Sequence, residues 1–334
     1  MNVIEMKTLL LDHLNKVYPQ SETIQILMSL ISSDQDILIQ LVTELLLEDK
    51  MPLVRMQQEI RLLYPILSIP AVQSGLKTHS LGKPTLLFQT ISSTNDYLKN
   101  NLNSLDNGTL ILAHKQSFAR GRLGRTWSSP AGNTISMSLL LKPEKNNFNY
   151  SLLTQLAAAA LIKALTFHNT IAEIKWPNDI VVNRKKVAGI LTETEYSGNT
   201  LEGIILGIGI NTNLDESDIP LDIREKATSL KSVIGPVDPN SLVSRFLNEF
   251  ERLFDGWITT WDTKPFLEIC RNHSALIGGE YWIEENRGIK SSKRKAKIET
   301  INDTGFLVVT YLDTFEKATL TSTNYSIRAD NTYI

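Results

Sequence analysis

Residues 119–127 read ARGRLGRTW, and three arginines interleaved with two glycines have a definite chemistry. Arg120, Arg122 and Arg125 offer planar forks that suit phosphate and carboxylate oxygens and stay charged at any physiological pH. Gly121 and Gly124 allow backbone angles that other residues resist and let the chain approach a ligand closely. Three uses are open: a nucleic-acid patch, a cradle for anionic groups, or a solvated turn between the strand-like runs TLILAH (109–114) and TISMSLLL (134–141). Nucleic-acid binding would want interleaved aromatics, where only Trp127 stands, and basic surroundings, which are missing. Neither a Walker spacing nor a dinucleotide fingerprint is present.

Three further segments carry polar residues at places where chemistry could occur. In IKWPNDIVVNRKKVAGIL (174–191), Pro177 fixes a corner that presents Asn178 and Asp179 at a strand entrance. Lys175 and Lys186 would then approach each other across a hairpin. Taken alone, this is an ordinary turn with solvated lysines. In SSTNDYLKN (92–100), Ser93, Thr94 and Asn95 stand at a helix N-terminus, where they cap the helix or bind a polar ligand head beside free N–H groups. In GIGIN (207–211), glycines in a strand permit close approach of another group, with Asn211 at the end; a tightly packed sheet is the plainer explanation.

The elements that must position these residues follow from periodicity. Residues 1 to about 50 read as three helices, the third preceded by the capping sequence SSDQ (32–35), and MPLVRMQQEIRLLYPI reads as a hairpin. This is the outline of a winged helix-turn-helix domain, 1–68. A polar, Pro- and Gly-bearing linker covers 69–84. Strands and helices then alternate through a mixed-sheet α/β domain, 85–272, including a hairpin around RKK (184–186) and a helix at PNSLVSRFLNEFERLFDGWITTW. From 273 to 334, short strands at close spacing with a turn at NDTG (302–305) suggest a small barrel, because closure removes exposed edges. The fold class is α+β.

Composition sets limits. A chain of 334 residues has material for two or three domains. With 34 basic against 36 acidic residues, the net charge of −2 gives no global attraction to nucleic acid or membrane, so any polyanion site must be local. One cysteine, Cys270, forms no internal disulfide and no clustered zinc site, as expected in a reducing cytoplasm. No signal peptide is read, and no run approaches the roughly 18 uninterrupted apolar residues of a membrane span.

Together and in this order, the motifs resemble those of the biotin protein ligase family: STN, then Q-x-x-G-R-G-R-x-G-R-x-W, KWPND, K-x-x-G-I-L and G-x-G-x-N. Here they stand as Ser93-Thr94-Asn95, Gln116 with Arg120 to Trp127, Lys175 to Asp179, Lys186 with Gly189 to Leu191, and Gly207 to Asn211. The resemblance covers about 85–235. It implies a class II synthetase-like ligase domain between a winged-helix-like head and an SH3-like barrel. It also implies an activity: biotin and Mg-ATP give biotinyl-5′-adenylate and pyrophosphate, and the biotinyl group passes to one lysine of a biotin carboxyl carrier protein, a subunit of acetyl-CoA carboxylase.

By the same resemblance, Lys186, Arg120 and Arg122 are the catalytic candidates. Ser93, Thr94, Asn95, Gln116 and Gly121 join them around the biotin and adenylate. Arg125, Trp127, Lys175, Asn178, Asp179 and Asn211 are weaker candidates for nucleotide contacts, with Lys175, Asn178 and Asp179 also considered for metal, and Trp127 is read as packing under the loop. Metal ligands are not assigned, and a homodimer through the central sheet is an open option. Two departures stand out. Ala119 replaces the first glycine of the loop. The third helix segment, 33–50, carries Asp34, Asp36, Glu44, Glu48 and Asp49 against Lys50, a net charge of −4, which disfavours a second role as a DNA-binding biotin-operon repressor. A lipoate or octanoate ligase on a related fold is a further alternative, against which the arginine loop and barrel-like tail weigh.

Overall fold

The computed structural model describes residues 1–127, 132–142, 149–285, 293–329 and 333–334. The N-terminal elements are α1 (Val3–Val17), β1 (Glu22–Thr23), α2 (Ile24–Ile31), α3 (Gln35–Leu47), β2 (Leu53–Arg55) and β3 (Glu59–Leu62). Asn2 and Glu5 form a reciprocal capping box on α1, and Asp34 accepts from the Ile37 N–H at 3.0 Å to start α3, as the SSDQ sequence predicts. The expected hairpin is present, with an unexpected third strand: β1 pairs with β3, giving the order β1-β3-β2. Leu10, Leu14, Leu27, Leu38, Leu45 and Ile60 fill the core of this unit.

The segment read as a linker is anchored structure. It contains α4 (Ile69–Gly75), and its backbone is held by side chains about 170 residues away. Asn240 Oδ1 accepts from Ser68 N at 2.8 Å and Asn248 Oδ1 from Lys77 N at 2.7 Å. The Glu251 carboxylate accepts from the N–H groups of His79, Ser80 and Leu81 at 2.8–3.0 Å. Such long-range partners leave no local pattern, which is why 69–84 looks structureless in sequence.

The central unit comprises β4 (Thr85–Ile91), α5 (Thr94–Asn100), β5 (Leu110–Gln116), β6 (Thr134–Leu141), α6 (Leu153–Phe167), β7 (Glu173–Lys175), β8 (Asp179–Val182), β9 (Lys185–Ser197), β10 (Thr200–Asn211), α7 (Leu230–Ile234), α8 (Pro239–Thr260) and α9 (Lys264–Asn272). The seven strands run β4-β5-β6-β10-β9-β8-β7, with β4 and β5 parallel and the other pairs antiparallel. Helices α6, α8 and α9 pack together on this sheet. Among the described residues, the 150–167 stretch is long and apolar enough to cross a membrane by length and composition, which the sequence reading did not anticipate. Two-thirds of it is buried inside the molecule, where it serves as the core helix.

The C-terminal strands are β11 (Glu280–Glu285), β12 (Lys293–Ile301), β13 (Leu307–Tyr311), β14 (Lys317–Leu320) and β15 (Tyr325–Arg328), an antiparallel sheet in the order β14-β13-β12-β11-β15. Among the described residues β14 and β15 are not paired with each other, so the sheet is open along that line; Asn286, the last residue of the strand-like run EYWIEEN (280–286), lies outside the described residues. The NDTG turn docks this sheet on the central unit: Gln155 Nε2 and Trp176 Nε1 both donate to the Gly305 carbonyl, at 2.7 and 3.1 Å. The molecule is thus an α+β protein with a central mixed sheet and a C-terminal antiparallel sheet.

Candidate active site

A cleft of about 560 Å³, including its solvent-open part, lies over β6, β10 and β9 beneath the arginine loop. Its inner end is polar and carries one carboxylate. Ser93 caps α5 by accepting from Asp96 N at 3.3 Å. The next residue, Thr94, donates to Gln116 Oε1 from its N–H at 2.8 Å and from its hydroxyl at 3.1 Å. Asn95 Nδ2 donates to Glu193 Oε2 at 2.6 Å, and Ser138 Oγ lies 2.6 Å from Thr94 Oγ1 and 2.5 Å from Asn95 Oδ1. Ser138 has one proton, so it serves one of these acceptors at a time.

The strand glycines make room for this end. Gly207 stands opposite Ser138 on β6 and Leu191 on β9, and a Cβ there would sit 2.3 Å from Asn95 Oδ1. Gly209, opposite Ser136 and Gly189, does the same for Trp127: a Cβ would lie 2.5 Å from the indole Cε2. The close approach that GIGIN permits is therefore made by two site residues of the protein itself. Asn211 takes no part in the cleft; its Nδ2 donates to Thr228 O at 3.0 Å.

The other end is cationic. Lys186 is fixed through its backbone, which donates to Lys226 O and accepts from Thr228 N, both at 2.8 Å. Its Nζ lies 2.6 Å from Asp179 Oδ1 and 5.3 Å from the Trp127 ring centre. Asn178 Nδ2 donates to the same Asp179 oxygen at 3.1 Å, and the Tyr333 hydroxyl donates to Oδ2. Burial alone would raise the Asp179 pKa, but the Lys186 charge and hydrogen bond, with Tyr333 and Lys175, hold it below the usual carboxylate value. Burial brings Lys175 down to about 8, against the pull of Asp179; its ammonium donates to Tyr333 O at 2.6 Å and lies 3.7 Å from that ring's centre.

The arginine loop closes over this end. It is a narrow turn in which Gly121 N donates to Arg125 O at 2.7 Å and Trp127 N to Ala119 O at 3.0 Å. Arg122 donates to Asn178 Oδ1 at 3.0 Å and, across to the C-terminal sheet, to Ser322 O at 2.6 Å. Burial lowers its pKa, with Asp179 opposing and Arg125 assisting. Arg120 pairs with Asp96 and stays about half exposed. Gly124 uses its freedom, with φ +71°, whereas Gly121 is extended at φ −104° and has no such need. Ala119 is buried, lines the cleft and lies outside the left-handed region, so it replaces glycine here without backbone strain.

Ser93, Thr94, Asn95, Gln116, Arg120, Gly121, Arg122, Trp127, Asn178 and Lys186 thus meet around one cleft. Lys175 and Asp179 stand behind Lys186 rather than in the lining, and Arg125, exposed, contributes its charge and a carbonyl. Sequence reasoning missed Ser138, Glu193 and Tyr333. The serines at 136 and 138 interrupt an apolar strand at alternate positions, and Glu193 follows directly on the GIL motif; both are signals in hindsight. Tyr333 gives none, since its partner is 154 residues away. Chemically, the cleft suits a molecule with a hydrogen-bonding head, an apolar middle against Leu191, Trp127 and the bare backbone of Gly207 and Gly209, and a carboxylate brought against a phosphate beside Lys186 and Arg122.

Comparison with known proteins agrees with this geometry. Residues 87–211 match the biotin/lipoate A/B protein ligase family. The chain is 36% identical over 217 residues to the bifunctional ligase/repressor BirA of Bacillus subtilis, a match spanning 64% of this chain and 66% of that protein, just under two thirds of its length. It is 36% identical over 172 residues to the biotin--[acetyl-CoA-carboxylase] ligase of Paracoccus denitrificans, covering 49% of this chain and 69% of that one. Among solved structures, the biotin protein ligase of Aquifex aeolicus in complex with biotin and ATP superposes with a TM-score of 0.64 at 26% identity, over 74% of this chain and 100% of that one. With the five motifs gathered at one cleft and these relatives matched over it, the chain belongs to the biotin protein ligase family.

Proposed function

We propose that the protein is an ATP-dependent biotin protein ligase. A biotin carboxylate oxygen attacks the α-phosphorus of ATP, pyrophosphate leaves, and biotinyl-5′-AMP results. The ε-amine of an acceptor lysine then attacks the acyl carbon, loses a proton and expels AMP. The observation that carries this reading is the polarity of this cleft: hydrogen-bonding groups at one end, Leu191, Trp127 and glycine backbone in the middle, and Lys186 with Arg122 at the other. The first step brings two anions together, so the two cations lower the repulsion and stabilise the charge passing to the leaving group. Thr94, Asn95, Gln116 and Ser138 would hold the head group, and the arginine loop would keep water from the mixed anhydride.

Magnesium enters as part of the nucleotide. Among the described residues Glu193 is the one carboxylate lining the cleft, it already accepts from Asn95, and both Asp179 oxygens have donors. The described residues of the cleft therefore do not form a set for a resident metal. The acceptor in this reading is a biotin carboxyl carrier domain of acetyl-CoA carboxylase, in keeping with the name of the Paracoccus relative, and a cytoplasmic location follows from the use of ATP and of that partner. Three helices with the β2–β3 hairpin support a winged-helix reading of residues 1–68, and five short antiparallel strands an SH3-like reading of 273–334.

The names of the Bacillus relatives favour a second reading, ligase and repressor in one. Against it, α3 and its flanks expose Asp34, Asp36 and Glu48, and Lys7 of α1 is taken by Glu44 and Asp49 at 3.1 and 2.9 Å. A salt-dependent mobility shift of operator DNA by adenylate-loaded protein would establish that second role. The main reading is tested by offering biotin, lipoate or octanoate with Mg-ATP and measuring pyrophosphate. Release with biotin is expected; release with lipoate or octanoate but not biotin would overturn it.

A further inference from the structure

The motifs do not account for the group that completes Asp179. This carboxylate faces Lys186 on β9, Lys175 on β7, Arg122 in the loop and the Tyr333 hydroxyl, with Arg125 and Arg328 adding charge near Lys175 and Tyr333. Its Oδ1 takes Lys186 and Asn178, and its Oδ2 takes Tyr333. Tyr333 is itself held firmly. Its ring lies under the Lys175 ammonium and its carbonyl accepts from that group, while Arg184 donates to the carbonyl of the next residue, Ile334. A carboxylate bound at one oxygen alone can swing about its Cβ–Cγ bond, and the Lys186 ammonium 2.6 Å away would follow it. Bound at both, it is a fixed anchor.

We propose that Tyr333 is a positioning residue of the ligase reaction: its hydroxyl locks the Asp179 carboxylate, and that carboxylate fixes the Lys186 ammonium where carboxylate and phosphate meet. The residue sits after the last C-terminal strand, so the C-terminal part of the chain completes the cationic end of the site built by the central sheet. Its influence is on Lys186, and through Lys186 on the chemical step rather than on capture of the head group at the far end of the cleft. The inference rests on the ligase reading and on the role given there to Lys186.

Tyr333→Phe isolates the hydroxyl, because the ring under Lys175 and the backbone contacts remain. Biotin-dependent pyrophosphate release should lose roughly tenfold in kcat, the effect typical of removing a group that orients a directly acting one, with KM for biotin unchanged and the protein still folded at the assay temperature, its melting temperature lowered by the loss of one buried hydrogen bond. Asp179 loses a donor that lowers its pKa, so the acid limb of the kcat profile should move to higher pH. In an Asp179→Asn background the same substitution should have almost no further effect, because the partner through which it acts is gone. Unchanged kcat and acid limb, or an equal loss with and without Asp179, would overturn the proposal. Parent protein that releases no pyrophosphate with biotin would instead refute the ligase reading itself.

Discussion

Replacing Gly207 by alanine tests the construction of the cleft more sharply than removing any polar group. The added Cβ would lie 2.3 Å from Asn95 Oδ1 and 2.9 Å from its Cγ and Nδ2, about 1 Å short of ordinary contact at 3.4 Å. Strand β10 is hydrogen-bonded on both sides and cannot give, so Asn95 must retreat, and its bond to Glu193 and contact with Ser138 go with it. A misplacement of about 1 Å in a positioning group costs roughly 100-fold in rate, equivalent to about 2.7 kcal/mol of transition-state stabilisation. Overpacking should cost about 1–3 kcal/mol of stability. The assay is kcat/KM for biotin in pyrophosphate release, with urea unfolding alongside. Gly256→Ala, in α8 with open space around it, is the control; it should leave the rate alone and stabilise by about 0.5–1 kcal/mol. A folded Gly207→Ala enzyme within threefold of the parent would show that Asn95 does not hold the head group.

Other expectations follow from the same geometry. Lys186→Ala should reduce adenylate formation close to background while the melting curve is kept; a normal rate in single-turnover assays would remove Lys186 from the chemistry. Lys175 has its pKa lowered to about 8 from 10.5 by burial, so the unfolded chain binds the extra proton between those values and stability rises with pH across that window. Lys175→Met should abolish that gain, and urea midpoints at pH 7 and 9.5 for both proteins give the comparison. The Glu251 pKa is lowered, burial being outweighed by three backbone N–H donors. Its stabilisation is present above about pH 4.5 and is lost as pH falls through its folded pKa. Glu251→Ala should cost roughly 2–4 kcal/mol at neutral pH by loosening 79–81, and an unfolding midpoint unchanged there would refute the anchoring role.

Local chemistry decided what was legible in the sequence. Ser93 before an amphipathic run, the arginine and glycine loop, the corner at Trp176-Pro177 and the glycines of β10 are each set by bond angles, caps or close approach within a few residues, so their types betray their places. The third helix start at Asp34 is of the same kind. What stayed hidden depends on partners distant in sequence. Residues 69–84 look like a linker because the groups that order them, Asn248 and Glu251, lie on α8, where Asn240 also holds Ser68 just before them. Strand β1 is two residues long and exists by pairing with Glu59 and Ile60. Asn211 and Asp179 carry the same polar character in sequence, yet one binds a loop carbonyl and the other anchors Lys186; only register separates them. Ala119 shows the reverse: a departure from the loop's glycine pattern is free of strain in the fold, because Ala119 lies outside the left-handed region.

A cleft that binds biotin at its polar end and joins it to ATP at its cationic end has a calorimetric signature. Biotin is titrated into the protein first, and Mg-ATP is then added to the saturated complex with pyrophosphate measured in the same cell. One biotin should bind per chain, followed by a reaction heat on ATP addition that is matched by pyrophosphate and absent in Lys186→Ala. Lipoate binding in place of biotin, or biotin binding with no reaction when ATP is added, would contradict it.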